Sequence, residues 1–246
     1  MDTLAPAGML ARLASDGRAL RDAATDLDAA VPTCPGWTVR DAVDHTAVVY
    51  LHKATILEND SREPLRDWDP DIVYDDVRDY FDEQLHRIIE ALRTRDPATA
   101  VWTWYEPEQN VGFWVRRMMQ ETVIHRADVE SAQGAPSRVD DAVAVDGVDE
   151  LLVRMLAYDH EAYAEAPGHG EQIAVRAGDA GWTVTLGTER ATITDGVPAA
   201  PTATVEGAPS DVLLALWNRL PYDAVRTSGD PAALATLRAA VVATTQ

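Results

Sequence analysis

The residues best suited to chemistry are Glu121 and His125, four positions apart in RRMMQETVIHRADVE, residues 116–130. On a helix that spacing puts a carboxylate and an imidazole on nearly the same side, where both can bind one metal ion. Spacing alone says little here. Four of the six histidines have a carboxylate four places earlier: Asp41 with His45, Asp82 with His86, Glu121 with His125, and Glu165 with His169. With 41 acidic residues against 21 basic ones, such pairs arise readily.

Position on the helix separates them. Advancing about 100° per residue, His86 shares its side with Asp75, Asp79, Asp82 and Glu90, a solvated face. Glu121 and His125 fall within about a 100° arc that also holds Trp114, Met118, Val129 and Ala132, the apolar and therefore inward side. His45 falls likewise with Val48, Val49, His52 and Ile56. An inward carboxylate must be paired, hydrogen-bonded or metal-bound, because burying its charge alone costs several kcal/mol. Two readings stay open on these residues. One is a core salt link such as Glu121 to Arg117, with the histidines bonded to backbone carbonyls. The other is a metal held by His45, Glu121 and His125, a three-ligand set that leaves one position of a tetrahedral zinc open to water, a substrate oxygen or a thiolate. His52, two turns beyond His45 and about 10 Å along the axis, is too far away to join that ion. Cys34 is the sole cysteine, so intramolecular disulfides and multi-cysteine zinc sites are excluded. It precedes a helix in a Pro-Gly turn, about three turns of chain from His45, where packing is its expected role.

The elements that must position these residues read as helices through the first 160 or so positions. Helical spacing runs over 6–27, 38–58, 71–95, 112–132 and 139–158. Thr38 is the expected N-cap of the second helix, with Asp41 completing an acidic capping box. TAVWTWYE, residues 99–106, is too β-branched and aromatic for a good helix and reads as an extended segment crossing the bundle. After EAPGHGE the texture changes. QIAVRA, GWTVTLG, RATITDG and PTATVEG alternate and are punctuated by Gly and Asp, the strand-and-turn signature. Helices follow at 209–219 and 231–242, with AVRTSGD as a short strand between them. The expected architecture is a helical bundle over 1–165 followed by a small α+β domain over 166–246.

Composition bounds the partners. A net charge of −20 without a basic stripe repels phosphate backbones and argues against nucleic acid. No apolar run of membrane-spanning length and no signal-peptide pattern are present, so a cytoplasmic location is expected. Lys53 stands alone against twenty arginines, a bias that points to GC-rich coding. No glycine-rich phosphate loop, nucleophile elbow or Ser-His-Asp arrangement is legible.

VPTCPGWTVRDAVDH, followed far downstream by FWVRRMMQETVIHRADVE, resembles the mycothiol-dependent maleylpyruvate isomerase family of actinobacteria. The resemblance continues through AVAVDGVDELL and LLALWNRLPYD to SGDPAALATL and so covers nearly the whole chain. It implies a DinB-like four-helix bundle and a C-terminal sterol-carrier-protein-like α+β domain. By the same resemblance His45, Glu121 and His125 match the family's divalent metal ligands. Arg219, in an LLxLWxR context, matches a catalytic arginine, although Asn218 stands where glycine is common. Mycothiol and a divalent ion, with zinc preferred, are the implied cofactors, and a small anionic or electrophilic substrate in an interdomain cleft is the implied partner.

The implied chemistry is a thiol made acidic by the metal, which adds to an activated double bond. Rotation and elimination then give the trans isomer, whereas without elimination the same site is a thiol S-transferase. Arg219 would clamp a substrate carboxylate. Two other classes stand beside this one: a metal-containing protein that binds a thiol or small ligand without turnover, and a hydrolase whose metal activates water.

Overall fold

In a computed structural model, which describes residues 4–245, the chain divides into two units at Ser137/Arg138. The first unit is built on four helices: α1 (Pro6–Ala23), α2 (Val39–Glu58), α3 (Val77–Arg93) and α4 (Val111–Ala132). Helix α4 is the central one, packing chiefly on α1 and α2, while α2 also lies along α3. Its buried residues run from Val111 to Glu130 and point in every direction. Such a helix is normally apolar all round. Here it carries Arg116, Arg117, Gln120, His125, Asp128 and Glu130 among its buried side chains, so polar partners must be supplied inside the bundle.

Local sequence accounts for the helix starts. The Thr38 hydroxyl accepts from Asp41 N at 3.3 Å and Asp41 Oδ2 accepts from Thr38 N at 2.7 Å, the expected reciprocal box. Such a cap contributes about 1 kcal/mol and sets the register that turns His45 toward His125 on α4. The face expected to be inward is only half-buried, with His45, Val48, Val49 and His52 beside the buried Val43, Ala47, Tyr50 and Ala54. Asn110 caps α4 by accepting from Phe113 N at 3.0 Å. Residues 99–106 form no α-helix, but the expected extended segment is only partial: Ala100 bridges Asn110, bends stand at 104–105 and a 3-10 turn opens at Glu106. Trp102 O accepts from Trp114 Nε1 at 2.8 Å, which locks the first turns of α4.

Three boundaries differ from expectation. Helix α1 ends at Ala23, and α3 begins only at Val77, where Asp76 caps it by accepting from Arg78 N. The loop before it, with Pro70 and positive-φ Asp60 and Asp67, has no helical register to extend. The third concerns the unit boundary, which lies near 137 rather than near 165. Helix α5 (Asp141–Asp149) continues as one π-helical stretch, Glu150–Leu156, and packs within the second unit against α7 (Pro209–Leu216) and α8 (Pro231–Thr244). Asp149 Oδ1 also accepts from Trp182 Nε1 at 3.3 Å. Its helical periodicity matches that of the bundle, so texture alone assigned it to the wrong neighbours.

The second unit, residues 138–245, also contains the short α6 (His160–Tyr163) and five strands: β1 (Glu171–Ala177), β2 (Ala180–Leu186), β3 (Ala191–Asp195), β4 (Ala203–Gly207) and β5 (Arg226–Gly229). Their order is β3-β2-β1-β4-β5, with β1 and β4 parallel and the other pairs antiparallel. Gly178, at φ 61°, makes the tight β1–β2 turn that pairs Ala177 with Ala180. Both the helical bundle and the small α+β domain are thus present. Among the described residues no helix is long and apolar enough to cross a membrane.

Candidate metal centre

Helices α2 and α4 bring His45, Glu121 and His125 together. One ligand atom from each lies within 4.8 Å of the other two. His45 Nε2 is 3.4 Å and His125 Nε2 3.3 Å from the same Glu121 oxygen, Oε1. Two imidazole nitrogens on separate helices therefore converge on one carboxylate oxygen. The His45 side chain is 41% exposed, whereas Glu121 and His125 are 13% and 10% exposed, so the cluster opens to solvent on the His45 side.

The surroundings decide which atoms can ligate. Asp128 Oδ2 lies 3.1 Å from His125 Nδ1 and its Oδ1 accepts from the Thr33 hydroxyl at 2.8 Å. A carboxylate on Nδ1 fixes a proton there and turns the Nε2 lone pair toward Glu121, the second-shell arrangement of metal-ligating histidines. Arg117 forms an ion pair with Glu121 Oε2, which leaves Oε1 facing the two imidazoles. The two readings left open by the sequence are therefore compatible: Glu121 keeps its core salt link on one oxygen and offers the other. Trp37 covers the pair, 6.1 Å from the His125 ring and nearly parallel to it, and 5.0 Å from His45.

Electrostatics point the same way. Burial works against the Glu121 charge, but Arg117 and the two histidines outweigh it and hold the carboxyl well below its usual range. Burial likewise opposes charge on His125, yet Glu121 and Asp128 prevail and push it up to about 9. The two carboxylates call for a positive charge between them, a proton or a metal ion. Two imidazoles, one carboxylate and an orienting Asp form a donor set that fits zinc and other first-row divalent ions.

With this geometry in place, similarity to known proteins becomes informative. The family profile of the mycothiol maleylpyruvate isomerase N-terminal domain matches residues 7–130, and that of the MDMPI C-terminal domain matches 142–236. The chain belongs to the mycothiol maleylpyruvate isomerase family. A crystal structure of the mycothiol-dependent maleylpyruvate isomerase superposes with a TM-score of 0.66 at 13% identity, covering 93% of this chain and 96% of that one. A histidine-to-alanine variant of that enzyme superposes with a TM-score of 0.63 at the same identity and coverage. At this identity the likeness speaks for the fold, the DinB-like bundle followed by an α+β domain. No curated protein matches the sequence.

The remaining sequence candidates are placed as follows. His52 stands apart from the three, its ring 4.6 Å from Trp68 and edge-on to it. Cys34 is half-buried in the turn that Trp37 N closes onto Cys34 O at 3.0 Å. His86 is exposed on α3. Arg219 belongs to the second unit. Helix α7 stops at Leu216, short of the expected 219, because Asn218 takes a left-handed φ of 57°. Arg219 follows that turn, donating through Nη1 to Trp217 O at 2.9 Å, with its guanidinium 5.8 Å from the Trp217 ring centre.

Sequence reasoning missed Asp128, Thr33 and Trp37 in this family's bundle. Asp128 carried a usable signal, since it stands three residues after His125 and so shares its face. Thr33 carried none, because only the fold of the loop before α2 brings it to Asp128.

Proposed function

We propose that this family member is a metal-dependent, mycothiol-dependent isomerase or thiol S-transferase acting on a small electrophilic, maleylpyruvate-like substrate. The observation that carries this reading is the convergence of His45 Nε2 and His125 Nε2 on Glu121 Oε1, with His125 oriented by Asp128. A divalent ion held by these three residues supplies Lewis acidity, which lowers the pKa of a thiol enough for a nucleophile to exist at neutral pH.

The chain's own residues prepare that chemistry. Asp128 holds the His125 proton on Nδ1, so that the ring presents its lone pair inward. Arg117 fixes Glu121 in one rotamer and offsets part of its charge. Trp37 keeps water from one side of the imidazoles, while the more exposed His45 marks the side from which a thiol arrives. Arg219 is proposed as the guanidinium that holds a substrate carboxylate, a role suited to its bidentate donor geometry.

Elemental analysis of the purified protein and of His45→Ala, Glu121→Ala and His125→Ala tests the metal, and turnover of maleylpyruvate with and without mycothiol tests the reaction. Stoichiometric metal lost in each variant, with thiol-dependent isomerisation, is the expected outcome. A metal-free wild type, or turnover indifferent to mycothiol, would abandon the reading. In an Arg219→Ala variant KM for the substrate rises while metal content stays constant.

A further inference from the structure

Lys53 is the only lysine in the chain and stands on α2 eight residues after His45, about 12 Å along the helix axis. Its Nζ donates to His52 Nδ1 at 2.9 Å and lies 5.1 Å from the centre of the Trp114 ring on α4. Among the described residues no carboxylate reaches it. The buried Arg117, Asp128, Asp16 and Glu130 of this unit each have an ion partner: Arg117 has Glu121, Asp128 has His125, and Asp16 and Glu130 share Arg126. An ammonium shielded from water without a carboxylate is a costly arrangement, and a π face offsets only part of the cost.

The state of the pair follows from its chemistry. Burial pushes the Lys53 ammonium down to about 8; Glu121 pulls it up and Arg117 adds to the fall. It is still mostly protonated at neutral pH. Burial and the Lys53 charge hold His52 down at about 4, so its ring is neutral. An ammonium only donates, so His52 Nδ1 accepts and the ring proton sits on Nε2. The pair thus offers the remaining ammonium hydrogens and an imidazole N–H, donors with no acceptor among them. Helical side chains lean toward the N-terminus, which tilts the Lys53 stem toward the His45 end of α2.

We propose that Lys53, with His52 beside it, forms a carboxylate-binding subsite in the α2–α4 seam, which takes one carboxylate of a small dicarboxylate substrate. The identity of that ligand rests on the isomerase reading; the need of Lys53 for an anion does not. The subsite sets specificity, favouring substrates with a carboxylate remote from the reacting carbon over their monoamides.

The test is calorimetric titration of the metal-loaded protein with maleate and with its monoamide. Wild type is expected to prefer maleate. Lys53→Met weakens maleate binding by about tenfold or more, while Lys53→Arg keeps it within about threefold, as expected for a charge-assisted contact. Metal content is unchanged in both, and the Lys53→Met melting temperature is equal or higher, since a partly buried cation with no carboxylate in contact has been removed. Lys53→Gln, judged in the same way, serves if the methionine variant does not fold. Undetectable maleate binding to wild type, affinity unaltered in Lys53→Met, or affinity lost together with the metal overturns the subsite. Turnover in the same samples separates the two ideas. Lys53-dependent maleate binding without thiol-dependent turnover sinks the isomerase reading alone, and turnover with Lys53-independent binding sinks the subsite alone.

Discussion

Asp82–His86 on α3 and Glu121–His125 on α4 share one spacing and meet opposite fates. Asp82 is 46% exposed and turns to Arg21 on α1 at 3.0 Å, leaving the exposed His86 to solvent. Glu121 is 13% exposed and gathers Arg117, His45 and His125. Two unit charges 4 Å apart interact by about 1 kcal/mol in water and about 4 kcal/mol at the effective dielectric of a partly buried site. The same local motif is therefore nearly inert on one helix and strongly coupled on the other. What distinguishes them is the helix face and the neighbour it meets.

The largest break in that comparison comes from removing a ligand. His45→Ala, Glu121→Ala and His125→Ala each take bound metal from about one ion per chain to almost none by plasma mass spectrometry, because two protein ligands hold a divalent ion poorly. Asp82→Ala and His86→Ala leave the metal in place. Retention in Glu121→Ala would show that the convergence on Oε1 is a salt link only.

Next is Arg117→Met. After chelation this variant loses roughly 3 kcal/mol in chemical denaturation, the cost of a buried carboxylate that loses Arg117 and keeps only the histidines beside it. With metal restored the loss shrinks, since the ion supplies a second countercharge to Glu121. A loss equal in both states would mean that Arg117 acts through packing alone.

A smaller effect sharpens the seam further. Asp128→Asn keeps a hydrogen-bonding group beside His125 Nδ1 but removes the charge, and metal affinity falls by roughly 10- to 100-fold in competition with a chelator. Unchanged affinity would take Asp128 out of the orienting role.

Much of this contrast was legible before the fold was known. The apolar arc containing Trp114 and Met118 separated Glu121–His125 from Asp82–His86, and the Thr38–Asp41 box set the register of His45. The partners that make the seam work were not legible, because they come from non-local approach: Thr33 from a loop, Lys53 against Trp114 on another helix, Trp37 across two imidazoles. The bundle-like periodicity of residues 141–156 was read correctly as helix but attached to the wrong unit, since amphipathic spacing shows that a face is buried and not against what. A π-helical stretch there, and the left-handed Asn218 that ends α7 before Arg219, arise from tertiary constraint and leave no trace in propensity.

The smallest effect belongs to the exposed pair. A double-mutant cycle on Arg21→Ala and Asp82→Ala is expected to give a coupling of about 0.5 kcal/mol or less, because side chains 38% and 46% exposed are screened by water and give up rotamer freedom to meet. Raising the salt concentration should reduce even that value, as the Debye length falls below the spacing of the charges around them. The same cycle on Arg117→Met and Glu121→Gln in chelated protein should return several times more and respond weakly to salt. Coupling of similar size in the two cycles would remove the dielectric explanation, leaving ligand convergence alone to distinguish α4 from α3.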